Sequence, residues 1–169
     1  MKLIPLLTTD QEFSFDLVIP SIPGFGFSQK INKPGCNLWL IAELWHKLMM
    51  GLGYEKFIAQ GGDFGAGISS ALALKHPENL LGLHLNYIPG SYFPWLSESE
   101  SLTDEERSIQ NKADEWYTTS GAYAHQHRTK PLTLAYALND SPIGLCAWIV
   151  EKFYEWSDCN GDIETVFTK

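Results

Sequence analysis

The sequence predicts an α/β fold in which parallel strands alternate with flanking helices, followed by an all-helical region. Apolar runs at residues 15–20, 57–61 and 80–86 are typical of strands buried on both faces of a parallel sheet. Helical patterns separate these runs, so the first ninety residues alternate strand and helix. After Tyr87 no convincing strand remains. We therefore expect a partial sheet domain over residues 1–90 and a helical cap over residues 91–169.

Composition limits the class of protein. The chain of 169 residues is 44% hydrophobic and 13% aromatic, which is typical of a globular domain. Its net charge of −8 argues against nucleic acid or an anionic membrane surface as the main partner. Three cysteines without metal-ligand spacing indicate free thiols, and no apolar run is long enough to span a bilayer. With no cleavable-signal pattern at the start, the expected location is the cytoplasm.

Helix signals in the first region are specific. Asn37 can cap a helix over residues 38–50, where apolar residues recur at helical spacing before Gly51. A second helix is expected over residues 66–75, and it should end at His76 because proline follows. These helices connect the predicted strands.

The second region contains three predicted helices. Thr103 and Glu106 form a capping-box pattern, which predicts a helix over residues 104–119. We expect residues 121–130 to form a polar connector and residues 131–138 a short helix. Ser141 followed by proline predicts the start of a helix that reaches about residue 156.

The chemistry centres on a short glycine-rich stretch, Gly61-Gly62-Asp63-Phe64-Gly65. It fits the nucleophile-elbow pattern, in which a sharp turn between a strand and a helix exposes one side chain and requires small neighbours. An aspartate at the centre is already ionised at neutral pH, so it needs no base to become a nucleophile. The helix N-terminus that follows favours its negative charge. The alternative interpretation is an Asp63 that merely caps the helix.

The histidines do not predict a metal site or a base. His125 and His127 lie two residues apart without a third ligand of suitable spacing, so we expect no metal. His46 fits a packing or surface position on its helix. No pattern points to a cofactor.

Several stretches together resemble the microsomal-type epoxide hydrolases of the α/β-hydrolase fold. They are PSIPGFGFS (20–28), GGDFG (61–65), GLHLN (82–86), GAYAHQHRTKP (121–131), LNDSPIGL (138–145) and EKF (151–153). Their order and separation also match, and the resemblance covers nearly the whole chain. It implies a partial α/β-hydrolase core with a helical cap.

The resemblance implies roles for three residues. Asp63 would attack an epoxide carbon and form an ester, which water then hydrolyses to a vicinal diol. Tyr123 would donate a proton to the opening oxygen, since a departing alkoxide is a poor leaving group. The backbone N–H of Phe64 would form half of an oxyanion hole. A plain packing contact is the alternative interpretation of Tyr123.

Some family features have no counterpart in these residues. The resemblance implies a His-Gly-Trp-Pro motif, a second cap tyrosine, an acidic partner and a histidine base, and none is present. His84 comes too early in chain order to be the base. We therefore interpret the chain as an internal fragment. The resemblance implies that the strand leading to the His-Gly-Trp-Pro motif, which would come earlier in the chain, lies in the sheet between the strand at residues 15–20 and the strand that begins at Phe57. Unpaired edges would favour direct pairing of these strands, association with another chain, or poor folding.

Two alternatives to an epoxide hydrolase remain. A haloalkane dehalogenase also uses an elbow aspartate, although Phe64 stands where that family has a halide-binding tryptophan. A non-catalytic fragment or binding module is the other. The expected substrate is a small apolar epoxide together with water, since aromatic residues are frequent near the predicted pocket. These residues are Phe25, Phe27, Phe64, Tyr92, Phe93 and Trp95.

Overall fold

The computed structural model describes residues 3–9, 13–87 and 101–168. The chain divides into two compact units, residues 1–95 and 96–169. The predicted boundary between residues 90 and 91 lies outside the described residues.

In residues 3–9 and 13–87 the first unit contains three α-helices and a two-stranded parallel sheet. The elements are α1 (Leu3–Thr8), α2 (Leu38–Gly51), β1 (Phe57–Gly61), α3 (Phe64–Lys75), a 3-10 turn (Pro77–Asn79) and β2 (Leu80–Leu85). The predicted start of α2 is confirmed, because the Asn37 side chain accepts a hydrogen bond from the Leu40 N–H at 3.0 Å. The helix predicted over residues 66–75 and the strand predicted near residues 80–86 are also present.

A small apolar core holds the sheet against the two longer helices. β1 and β2 run parallel, with Ala59 opposite Leu83 and Gly61 opposite Leu85. Ile68 of α3 is fully buried in this core. The other buried members of the cluster are Ile41, Ala42, Phe57, Ala59, Ala71 and Leu72. This packing fixes where β1 ends and α3 begins, which sets the position of Asp63.

The strand predicted over residues 15–20 is wrong. These residues form no regular element, and Ile19 is 62% exposed. The segment is anchored by isolated contacts: the Phe15 N–H donates to the Leu7 carbonyl at 3.0 Å, and the Tyr54 hydroxyl donates to Asp16 Oδ2 at 2.8 Å. An apolar run becomes a strand only when a neighbouring strand accepts its hydrogen bonds, and none pairs with it within the described part of the chain.

All regular structure described in the second unit is helical. The elements are α4 (Asp104–Thr119), α5 (Ala122–Thr129), α6 (Pro131–Asp140), α7 (Pro142–Glu155) and a 3-10 turn (Ile163–Thr165). The capping box at α4 and the Ser141 cap at α7 are confirmed. None of the helices described in residues 3–9, 13–87 and 101–168 combines the length and the apolar character of a membrane-spanning segment.

The polar connector predicted over residues 121–130 is wrong, since most of it forms α5. The Gly121 carbonyl accepts hydrogen bonds from the N–H groups of Ala124 and His125 at 3.1 and 3.2 Å, which starts the helix. A β-carbon at Gly121 would lie 2.8 Å from the Tyr117 carbonyl oxygen, so only glycine fits the tight passage from α4 to α5. The sequence does not predict α5, because a polar surface helix lacks the strong apolar stripe by which a helix is recognised.

Candidate active site

Asp63 occupies the sharp turn between the end of β1 and the start of α3. Its backbone has φ 50° and ψ −125°, a positive φ that residues other than glycine rarely adopt. The residue is exposed. Backbone strain of this kind persists only where the surrounding structure imposes it, and it is concentrated at functional sites.

Gly61 makes the turn possible. A β-carbon at this position would lie 2.1 Å from the Gly65 carbonyl oxygen and 2.2 Å from its carbon. At Gly65, by contrast, a β-carbon would meet no described atom within 4 Å beyond its chain neighbours and the backbone of its own helix. The requirement for a small residue therefore falls on the strand side of Asp63.

The Asp63 carboxylate is oriented by the helix that follows it. Its Oδ1 accepts a hydrogen bond from the Phe64 N–H at 2.6 Å. In the described residues Oδ2 has no hydrogen-bond partner, so one carboxylate oxygen is held while the other stays available. The sequence offered two interpretations of Asp63, a nucleophile and a helix cap. The structure is compatible with both, because the side chain that caps α3 also presents an oxygen at the N-terminus of that helix.

The aromatic residues expected to line an apolar pocket are exposed where the structure describes them. Phe25, Phe27 and Phe64 are 70%, 103% and 65% exposed. The loop that carries the first two folds on itself through the Ser28 hydroxyl, which donates to the Ser21 carbonyl at 2.6 Å. Tyr92, Phe93 and Trp95 lie outside the described residues.

Tyr123, in the second unit, is packed into a cluster of rings. It lies near the start of α5 and is half-buried. Its ring makes edge contacts with Trp116, His127 and Trp156, with centroid separations of 6.2, 6.1 and 5.3 Å. The contacts with Trp116 and Trp156 join α5 to α4 and to the end of α7. Together with His127, these rings hold the tyrosine ring in one orientation.

A lysine lies over the same ring. Lys152 Nζ stands 5.0 Å from the Tyr123 centroid and 5.5 Å from the Trp156 centroid. It forms ion pairs with Glu151 at 2.9 Å and Glu155 at 3.1 Å, and Glu155 also accepts a hydrogen bond from the Ser120 hydroxyl. Sequence reasoning missed this cluster; the spacing of Lys152 and Glu155 on α7 was the available signal.

The charged groups in this cluster stabilise one another's ionised forms. Partial desolvation acts to lower the pKa of Lys152, but hydrogen bonds and ion pairs with Glu151 and Glu155 raise it above its ordinary value. The Ser120 hydroxyl and then Lys152 lower the pKa of Glu155. The lysine therefore remains a cation across the neutral range.

The histidines lie in several different environments. The rings of His46 and His76 stack 3.6 Å apart, and His76 Nε2 lies 3.1 Å from Glu43. His84 lies on β2 opposite Gln60, and His127 packs against Tyr123. Across residues 3–9, 13–87 and 101–168, no three His, Cys, Asp or Glu side chains are arranged to hold a metal ion.

The sequence was compared with protein families and with known proteins, and the matches agree with one another. A family model described as alpha/beta hydrolase fold matches residues 1–141. Juvenile hormone epoxide hydrolase 1 of Ctenocephalides felis is 40% identical over 174 residues, covering 93% of this chain and 37% of that protein. Epoxide hydrolase 1 of Oryctolagus cuniculus is 38% identical, covering 93% of this chain and 39% of that protein.

A solved structure is similar as well. The crystal structure of juvenile hormone epoxide hydrolase from the silkworm Bombyx mori matches with a TM-score of 0.73 and 34% identity, covering 94% of this chain and 41% of that chain. The resemblance noted from the sequence is confirmed. The chain spans about two fifths of the length of these relatives.

Proposed function

The chain belongs to the α/β-hydrolase fold family, and from this premise we propose that it carries the nucleophile of an epoxide hydrolase. Asp63 attacks an epoxide carbon. The new bond joins a carboxylate oxygen to that carbon, the strained carbon–oxygen bond of the ring breaks, and the departing oxygen takes a proton. Water then attacks the ester carbonyl and releases a vicinal diol and the free carboxylate.

The observation that carries this proposal is the geometry at Asp63. A carboxylate on a strained turn, with one oxygen bound to the Phe64 N–H at 2.6 Å and the other available, is suited to nucleophilic attack. As the ester is hydrolysed, negative charge develops on its carbonyl oxygen, and a backbone N–H already directed at that oxygen stabilises it. Phe64 contributes only its backbone in this role, so the identity of its side chain matters little.

Tyr123 is proposed as the proton donor. An alkoxide is a much stronger base than a phenolate, so a phenol near the departing oxygen lowers the barrier to ring opening. The ring contacts with Trp116, His127 and Trp156 support this role, since a general acid must be held in a defined orientation.

Hydrolysis of the ester needs a base that activates water. None of the five histidines has a context resembling the base of the epoxide hydrolases, and His46 and His76 are engaged with each other. We propose that these 169 residues form the ester and release diol slowly. The proposed substrate is a small apolar epoxide, since the relatives are named as epoxide hydrolases and the aromatic ring of Phe64 lies next to Asp63 in the sequence.

Intact-mass spectrometry tests the proposal. The purified chain is incubated with styrene oxide, and we expect a mass increase of one epoxide located on Asp63 by peptide mapping. Asp63→Asn keeps a side-chain oxygen for the Phe64 N–H but removes the nucleophile, so this adduct should be absent. Asp114→Asn, an exposed change on α4, is the matched control and should react like the parent chain.

Two results would contradict the proposal. A folded chain that forms no adduct on Asp63 would exclude nucleophilic chemistry at this residue. Diol release at a catalytic rate would show that a water-activating base is present in these residues.

A further inference from the structure

In the second unit, a largely buried lysine side chain lies over the ring of Tyr123. The Lys152 ammonium lies 5.0 Å from the Tyr123 ring centroid, and the lysine side chain is only 16% exposed. Trp156 flanks the same ammonium at 5.5 Å and also contacts the Tyr123 ring. An ammonium at this distance from an aromatic ring interacts favourably with its electrons, more strongly when water is excluded.

The position of the ammonium is determined by its partners. Glu155 lies one turn further along α7 and pairs with Lys152 at 3.1 Å, while its other carboxylate oxygen accepts from the Ser120 hydroxyl. Ser120 follows α4 directly and stands three residues before Tyr123. The hydrogen bond between Ser120 and Glu155 thus links α7 to the segment that leads into α5.

The lysine charge is the least screened of the three. Its side chain is 16% exposed, against 58% for Glu151 and 31% for Glu155. Charges that are shielded from water act through a lower effective dielectric constant, and the ammonium is the member of this triad whose contact with the tyrosine ring the structure describes, at 5.0 Å. The raised pKa of Lys152 keeps that charge in place at neutral pH.

We propose that Lys152 is a positioning residue for Tyr123, holding the ring between α5 and α7 and stabilising the negative charge that the phenol acquires as it gives its proton to the opening epoxide. Lys152 does not touch the substrate in this proposal. When the epoxide ring opens, the phenol O–H bond breaks and the proton moves to the epoxide oxygen. The negative charge left on the tyrosine is shared between its oxygen and its ring, and the ammonium 5.0 Å from the ring centroid attracts it. This inference rests on the proposed function of Tyr123.

A double-mutant cycle measures the coupling. The rate of ester formation with styrene oxide is followed by intact mass at saturating epoxide for the parent chain, Lys152→Met, Tyr123→Phe and the double variant. We expect Lys152→Met to lower the maximal rate by about tenfold when Tyr123 is present and by less than about twofold in the Tyr123→Phe background. The half-saturating epoxide concentration should stay unchanged.

Two further variants separate charge from packing. Lys152→Arg keeps a cation that stacks on aromatic rings, so it should restore most of the maximal rate. Lys112→Met removes an exposed lysine of α4 and should leave the rate unaltered. Circular dichroism of each variant checks that its helices are formed.

The outcomes are distinct. Equal rate losses with and without Tyr123, or no loss with Lys152→Met, would overturn the role of Lys152 while leaving the nucleophile intact. A parent chain that forms no ester would overturn the proposed function, and the role of Lys152 with it.

Discussion

Gly61 and Gly65 flank Asp63 symmetrically in the sequence, but their surroundings differ. The pattern of small residues around a nucleophile treats both glycines as necessary. In the structure a β-carbon at Gly61 would overlap the Gly65 carbonyl, whereas one at Gly65 would meet no described atom within 4 Å outside its own helix and chain neighbours. The strained φ of Asp63 therefore depends on the absence of a side chain at one defined position.

Gly61→Ala should destabilise the first unit by about 1–3 kcal/mol or more, because the added methyl group overlaps backbone atoms that cannot move aside. Gly65→Ala should be neutral or stabilising by up to about 1 kcal/mol, since alanine is favoured over glycine in a helix. Urea unfolding followed by circular dichroism measures both changes. Equal destabilisation by the two substitutions would contradict the close approach seen at Gly61.

At the scale of a single element, several helices begin at capping residues that can be recognised in the sequence. At α4 the Thr103 hydroxyl accepts from the Glu106 N–H at 3.2 Å, and the Thr103 N–H donates to Glu106 Oε2 at 2.8 Å. Such reciprocal bonds depend only on residues three apart, so the prediction of this helix needed no knowledge of the fold. At α5 no side chain caps the helix, and its existence depends on the turn at Gly121.

The cap of α4 should also make stability depend on pH. The Thr103 backbone N–H, followed by its hydroxyl, lowers the pKa of Glu106. A carboxyl whose folded pKa is depressed contributes stability above its ordinary pKa, and that contribution is lost as the pH falls through the depressed value. The stability advantage of the parent chain over Glu106→Gln, which keeps a hydrogen-bonding side chain without a charge, should therefore shrink on acidification.

Urea unfolding over a series of pH values measures this advantage. Glu105→Gln is the matched control, since Glu105 lies in the same turn but is not a member of the capping box. The same pH dependence in both variants would show that general charge at the helix start, and not the cap, is responsible.

At the scale of the whole first unit, the sheet packs on the core through Phe57 and Ala59, while other apolar side chains on its strands are exposed. A parallel sheet is normally buried on both faces. Here Ile58 of β1 is 53% exposed, and Leu81 and Leu83 of β2 are 70% and 42% exposed. Exposed apolar side chains on strands, together with unpaired backbone groups at the edges, favour pairing with another chain.

We therefore expect the chain to self-associate at micromolar concentration. Leu81→Lys places a charge on the exposed part of β2 and should shift the chain towards a monomer in size-exclusion chromatography with light scattering. Leu132→Lys alters a residue of α6 that is equally exposed, at 70%, and should leave the association unchanged. A monomeric parent chain would contradict this expectation.

The sequence by itself determined the features that depend on residues close along the chain. The glycine-flanked aspartate predicted the turn after β1, and Asn37, Thr103 with Glu106, and Ser141 predicted three helix starts. A turn or a cap is made by groups within a few residues of one another, so local chemistry is sufficient.

Only the tertiary structure decided the features that need a distant partner. The apolar run at residues 15–20 forms no strand, because a strand needs a neighbouring strand to accept its hydrogen bonds. A local sequence pattern does not show whether such a neighbour is present. The placement of Lys152 over Tyr123 joins residues 29 positions apart, and it follows from how α5 and α7 pack. Long-range contacts of this kind depend on the packing of whole elements, which no local pattern encodes.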